Sequence, residues 1–278
     1  MKLVEKHRAA KTGDNTMCED HYFYNEHFAA VIDGATNVSG EMIGGLTPGQ
    51  LSAYTIRETL AEVDGQADIE EIIEYINDRL QDRYKEEGIQ QLIHDKPFAT
   101  PSAVMSLYSH ARKVVWMIGD CQCLIDNVSY AHEKLIDDIT ANARSMYLEA
   151  EIQCGKSVDM LMTDDSGFAA IRPLIQMQYQ FQNLPKEHPY GYEVINGFTM
   201  AIDRIRTVRV PENANELVLG SDGYPYLKPT LSDTENALFN LLEEDPLCFR
   251  IFKSSKGLMH GNESYDDRTY LRIRLNEE

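Results

Sequence analysis

Hydrophobic positions recur along this chain with two periods, and the changes from one to the other mark out its elements. In "HYFYNEHFAAVID", residues 21–33, two β-prone runs flank Asn25-Glu26, which predicts a pair of strands joined by a short turn. The glycine-rich "GEMIGGLTPGQ" leads into a helix from about Thr47, with Pro48 suited to its first turn. The period then lengthens. In "DIEEIIEYINDRLQDRYKEEG", Ile69, Ile72, Ile73, Ile76 and Leu80 fall on one helical face, with charged residues opposite. Strand patterns return in "SAVMSLYS", "KVVWMIGD" and "CQCLIDNVSY", and a weaker helical pattern runs from about Glu133 to Leu184. The last third predicts strands "IRTVRVP" and "NELVLGSDG", a helix, and a closing strand "TYLRIRL". That helix is expected to open on Ser232 with Glu235 three residues on, a capping-box spacing ahead of Leu238, Leu241 and Leu242. Strands in blocks, with helices between them and short links, predict an α+β fold of antiparallel sheets covered by helices. No Pro/Gly/Ser-rich linker or repeat divides the chain, so one domain is expected over residues 1–278.

Composition narrows the classes. The 278 residues suffice for a large core, and a net charge of -19 disfavours binding a nucleic-acid backbone through a basic surface. Phosphorylated substrates stay open, because bound divalent cations can reverse the local field. No segment is long enough to span a bilayer, and "MKLVEKHRAAKTGD" has no apolar signal core. Cysteines at 18, 121, 123, 154 and 248 are an odd number in a sizeable chain, which predicts a reduced, cytoplasmic protein without structural disulfides.

The candidate chemistry lies at strand ends. The run Ala29-Ala30-Val31-Ile32 finishes on Asp33-Gly34, "VVWMIGD" on Asp120 and "ELVLGSD" on Asp222. Asp266-Asp267 precede the closing strand and Glu19-Asp20 the first hairpin. A single strand-end Asp is usually a turn former, but several at one rim repel each other unless cations lie among them. Carboxylates without clustered His or Cys favour hard, oxygen-seeking ions, Mg²⁺ or Mn²⁺, over zinc. Gly34 and Gly223 would let the chain turn sharply or approach a ligand. The ordinary alternatives are a turn role for Asp33 or Asp120, small buried residues for Cys121 and Cys123, and helix capping or a flap for Asp164-Asp165. Trp116 is assigned to the core.

The ordered set "CEDHYFYNEHFAAVIDGATNVSG", "TPSAVMSLYSHARKVVWMIGDCQCLID", "NELVLGSDGYPYL" and "SYDDRTYLRIRL" resembles the metal-dependent protein phosphatases of the 2C type over residues 10–275. The resemblance implies a four-layer α-β-β-α sandwich with a two-metal centre at one end. It also implies that Asp33 bridges two Mg²⁺ or Mn²⁺ ions and that the Gly34 carbonyl binds one of them, with Glu19 supporting that ion and Asp20 holding its waters. Asp222 and Asp266 would hold the other ion, and Asp120 would join Asp222 in a third, weaker site. The implied catalytic residues are thus Asp33, Asp222 and Asp266, and the implied reaction is hydrolysis of phosphoserine or phosphothreonine in a phosphorylated protein by a metal-activated water.

Four positions depart from the family pattern. The phosphate-gripping arginine has no counterpart beyond Lys11, the histidine after D-G is Ala35, an acid is Tyr226, and Asp267 replaces Asn. These departures keep two alternatives open: a catalytically weak or inactive domain that binds a partner or phosphorylated ligand, and a small-molecule phosphatase.

Overall fold

A computed structural model describes residues 1–131 and 134–276. Two five-stranded antiparallel sheets lie at its centre. One has the order β1 (Lys2–Ala9), β10 (Arg268–Arg274), β9 (Glu216–Gly220), β6 (Gln122–Ile125), β7 (Val128–Tyr130). The other has the order β2 (His21–Tyr24), β3 (Phe28–Gly34), β4 (Ala103–Ser109), β5 (Val114–Ile118), β8 (Arg206–Arg209).

The two-residue period of a strand sends alternate side chains to opposite faces. On β3, Phe28, Ala30 and Ile32 meet helices α1 (Pro48–Leu60) and α2 (Ile69–Glu86), packing with Ile56, Leu60, Ile72 and Ile76. Ala29 and Val31 face the other way, into an inter-sheet core with Val115, Met117, Leu219, Leu271 and Ile273. The outer face of the first sheet is covered by α7 (Leu231–Glu244), through Leu238 and Leu242 against Val218 and Tyr270. Helices, two sheets and helices make the antiparallel α+β arrangement that the sequence pattern predicts, layered as the resemblance implies. Trp116 lies in the core, and Cys121 and Cys123 are buried between the sheets, as small core residues. All five cysteines are unpaired.

Several local readings change. Residues 2–9, unassigned from sequence, form β1, whose alternately exposed positions over residues 2–6 fit a strand at the sheet edge. A short α3 (Gln90–Asp95) follows α2. The helical middle is three helices, α4 (Leu135–Gln153), α5 (Val158–Thr163) and α6 (Ser166–Gln178); Glu133, its expected start, is outside the described residues. Asp165 caps α6 by accepting from Phe168 N–H at 2.8 Å, so the capping reading of that pair holds there. The cap of α7 is Thr230 with Asp233, not Ser232 with Glu235. Glu235 is drawn away by Arg268, whose guanidinium lies 2.9 Å from it. Among the described residues, no helix is long and apolar enough to cross a membrane.

Candidate metal centre

The strand-end carboxylates collect at one rim of the sandwich, on a cavity of about 430 Å³ lined by Asp33, Asp120, Asp222 and Asp266. Helices α4 and α6, the 35–39 loop and the 252–256 segment form its other walls. Asp33 is not in a turn. It is the penultimate residue of β3, paired with Val104 of β4, on the same face as Ala29 and Val31, so its carboxylate enters the site from between the sheets. Asp222 lies two residues beyond the end of β9, and Asp266 and Asp267 precede β10, so the sheet of β9 and β10 brings its acids to the same place.

Both glycines are required by crowding, not by a sharp turn. A Cβ on Gly34 would collide with the Glu19 carbonyl and the Gly49 backbone. A Cβ on Gly223 would collide with the Asp267 carbonyl. Neither glycine has positive φ. Close backbone approach therefore locks the Glu19-Asp20 segment to the end of β3, and the Asp222 loop to the approach of β10.

Asp267 holds that arrangement together. Its carboxylate accepts Lys11 N–H at 2.9 Å and Glu19 N–H at 2.7 Å. With both oxygens engaged by backbone, it acts as a clamp on the Glu19-Asp20 segment. Glu19 accepts from Thr47 Oγ1, the cap of α1, at 2.7 Å. Arg8 donates to the carbonyls of Asp20, at 2.6 Å, and Cys18, at 3.1 Å.

The charges in the centre are unequally compensated. Removal from water, with Asp267 nearby, pushes the Asp20 carboxyl up, and its Oδ2 is buried without a partner. Asp33 is raised well above the usual range by removal from water and by the neighbouring carboxylates of Asp20 and Asp222. Asp222 is raised by removal from water and by Asp120 and Asp266. Asp266 behaves oppositely. Burial opposes its charge, but Lys256 and Lys11 outweigh that and hold it below the usual carboxylate range.

Lysines are the residues that sequence reasoning missed. Lys256 Nζ is bonded to Asp266 and lies 2.6 Å from Thr36 Oγ1. Lys11 Nζ is 3.6 Å from Asp266, 3.6 Å from Asp267 and 3.7 Å from Glu19. Lys134 Nζ is 2.8 Å from Asp120 and 3.2 Å from Asp137. In the sequence Lys11 is marked only by its place near the missing arginine; Lys134 and Lys256 carry no motif, and only the fold places them. Tyr226 is exposed, its ring 6.3 Å from that of Phe252.

The donors fit a hard cation about Asp33: all are oxygens, burial and neighbouring acids raise Asp20, Asp33 and Asp222, and one buried carboxylate oxygen has no partner. Among the described residues, no three His, Cys, Asp or Glu side chains already converge as a ligand set.

No model of a known protein family and no curated protein matches the chain. Solved structures do. The serine/threonine phosphatase Stp1 from Staphylococcus aureus is similar over 100% of this chain and 96% of its own, at 13% identity and a TM-score of 0.50. The Mycobacterium tuberculosis serine/threonine phosphatase PstP/Ppp is similar over 100% of both chains, at 12% identity and a TM-score of 0.49. The PPM Ser-Thr phosphatase MsPP from Mycobacterium smegmatis, in complex with cacodylate, is similar over 99% of this chain and 100% of its own, at 13% identity and a TM-score of 0.47. The chain thus has the fold of the serine/threonine phosphatases that its motifs resemble.

Proposed function

We propose that this chain is a Mg²⁺- or Mn²⁺-dependent phosphoric monoester hydrolase, acting on phosphoserine or phosphothreonine in proteins through one phosphatase-like domain. One observation carries the reading: Asp33, Asp120, Asp222 and Asp266 line one cavity, and beside them an oxygen of Asp20 is buried without a partner. Such a group of carboxylates is short of positive charge, and a divalent cation supplies it. Asp33 would be the central ligand, with Asp20, Asp222 and the Gly34 carbonyl beside it. Glu19, Asp120 and Asp266 each already face a lysine.

When bound, divalent cations here would neutralise charge on a phosphoryl group and acidify water for in-line attack. The protein's own part is positioning. Asp267 and Arg8 fix the Glu19-Asp20 segment, the β3–β4 pairing fixes Asp33, and Tyr265 donates to the Asp222 carbonyl at 2.9 Å. Positively charged Lys134 and Lys256 line the cavity, where the expected arginine is missing, and offer donors to phosphoryl oxygens.

Purified protein should hydrolyse an aryl phosphate with added Mn²⁺ and lose that activity with chelator; inactivity under every divalent ion would refute the reading. Comparing phosphopeptides with phosphorylated metabolites tests the protein-substrate part. A second reading, a phosphatase-like domain that binds a phosphorylated ligand without turning it over, is favoured by the lysines already paired to Asp120 and Asp266. Tight Mn²⁺ binding without hydrolysis would select it.

A further inference from the structure

We infer that Lys256 is a resident cation of this centre, so that the intact protein holds one divalent ion, on the Asp20–Asp33–Asp222 side, where the resemblance implies two. The inference rests on the metal reading above. Both oxygens of Asp266 already face positive charge: Lys256 is bonded to Oδ2, and Lys11 lies 3.6 Å from Oδ1. Oδ1 also accepts the Asp267 N–H at 3.0 Å. A second divalent ion would have to take this carboxylate from two ammonium groups while standing close to both.

The Lys256 side chain is delivered by a braced segment and has little freedom to withdraw. Its backbone N–H donates to Ser254 Oγ at 3.2 Å, and Leu258 N–H donates to the Pro246 carbonyl at 2.8 Å. A Cβ on Gly257 would press on Arg144 and the Leu247 backbone, so the chain turns away from Lys256 through a space that only glycine fits. Arg144, fully buried in α4, donates to the carbonyls of Leu247 at 2.8 Å and Ser254 at 3.1 Å, and is held by Asp165 at 2.7 Å. Beyond the backbone, Thr36 receives the ammonium at 2.6 Å, which ties it to the loop that follows Asp33.

Among the described residues, no ammonium is paired with Asp20, Asp33 or Asp222, although the charge of Lys256 is also felt at Asp222 and Asp33. Asp20 Oδ2 has no partner, and Lys134 is engaged by Asp120 at 2.8 Å and Asp137 at 3.2 Å. The asymmetry is what a centre with one built-in ammonium and one exchangeable cation requires: Asp266 is satisfied from within the chain, and the carboxylates around Asp33 are not.

The test is a count of bound ions on the full-length protein, stripped with chelator and titrated with Mn²⁺, by calorimetry and native mass spectrometry. Wild type and Lys256→Arg should bind one ion, and Lys256→Gln should bind two, with electron paramagnetic resonance changing from an isolated to a coupled Mn²⁺ signal. Lysine side-chain nitrogen NMR of the wild type follows the ammonium without any substitution. Its protected Lys256 signal should persist when Mg²⁺ is loaded, so the inference stays testable if Lys256→Gln does not fold. Two ions in the wild type, one in folded Lys256→Gln, or loss of the Lys256 signal on loading would overturn the inference and leave the metal reading intact. No ion in any of these proteins would overturn both.

Discussion

Asp33→Asn is the substitution that separates a metal ligand from a structural aspartate. In the metal-free protein removal from water and the neighbouring Asp20 and Asp222 favour the protonated form of Asp33, and an asparagine amide is neutral with almost the same shape. The variant should fold, and near neutral pH it should gain about 1 kcal/mol, because asparagine does not have to take up the proton that burial among acids forces on an aspartate ionised in the unfolded chain. For a chain of this size that is a rise in melting temperature of about 2–4 °C. With a divalent ion the sign reverses. Unit charges about 4 Å apart interact by roughly 4 kcal/mol at an effective dielectric near 20, and a doubly charged ion doubles the figure. Desolvation cancels the larger part of that attraction. A net loss of about 3 kcal/mol is a fall in Mn²⁺ affinity of at least ~100-fold. Hydrolysis should fall on the order of 1,000-fold. Calorimetric titration and thermal melting of both proteins read these effects directly. Wild-type Mn²⁺ affinity in Asp33→Asn would show that the carboxylate charge holds no ion. A lowered melting temperature in metal-free buffer would refute the picture of crowded acids.

Other groups in the centre make separate claims. Asp267→Ala leaves the Lys11 and Glu19 amides without their buried acceptor and should cost about 2–5 kcal/mol, read by denaturant unfolding; wild-type stability would deny the clamp. Arg144→Met strands Asp165 and frees the carbonyls of Leu247 and Ser254, with an expected loss of about 3–5 kcal/mol and faster proteolysis near residue 254. Metal-free stability should fall as pH rises from about 5 to about 8. Asp20, Asp33 and Asp222 have pKa values raised in the folded state, so the native protein binds more protons than the unfolded chain across that window and loses stability as they leave. Asp266, shifted downward, contributes only below that window. Saturating Mn²⁺ should flatten the decline, and a metal-free protein more stable at pH ~8 would contradict the charge assignment.

What the sequence disclosed, and what it hid, follows from how far apart the cooperating residues lie. The β2–β3 hairpin, α1 with its Thr47 cap and α2 are local patterns, complete within one window, and each is found where periodicity predicts it. Strand-end acids are legible for the same reason, since a strand that stops on Asp announces itself. Residues 2–9 were illegible because a strand at a sheet edge buries little, and its charged positions mask the alternation. The α7 cap was misplaced by two residues because Ser232 and Glu235 match the spacing, while Arg268, a strand away, claims Glu235.

The lysines belong to a different class of fact. Nothing in "FKSSKG" marks Lys256 as a partner of Asp266, since the pairing depends on a buried arginine in α4 and a glycine too crowded for a side chain. Asp267 is the converse case. It occupies a motif position and looks like a ligand, yet both its oxygens are taken by backbone amides. The acids at the rim are therefore not interchangeable. Asp267 shapes the site, Asp120 and Asp266 are answered by lysines, and Asp20, Asp33 and Asp222 are paired with no lysine or arginine among the described residues. A motif set records which residues reach the rim; which of them still need a cation is decided by the neighbours that the fold supplies.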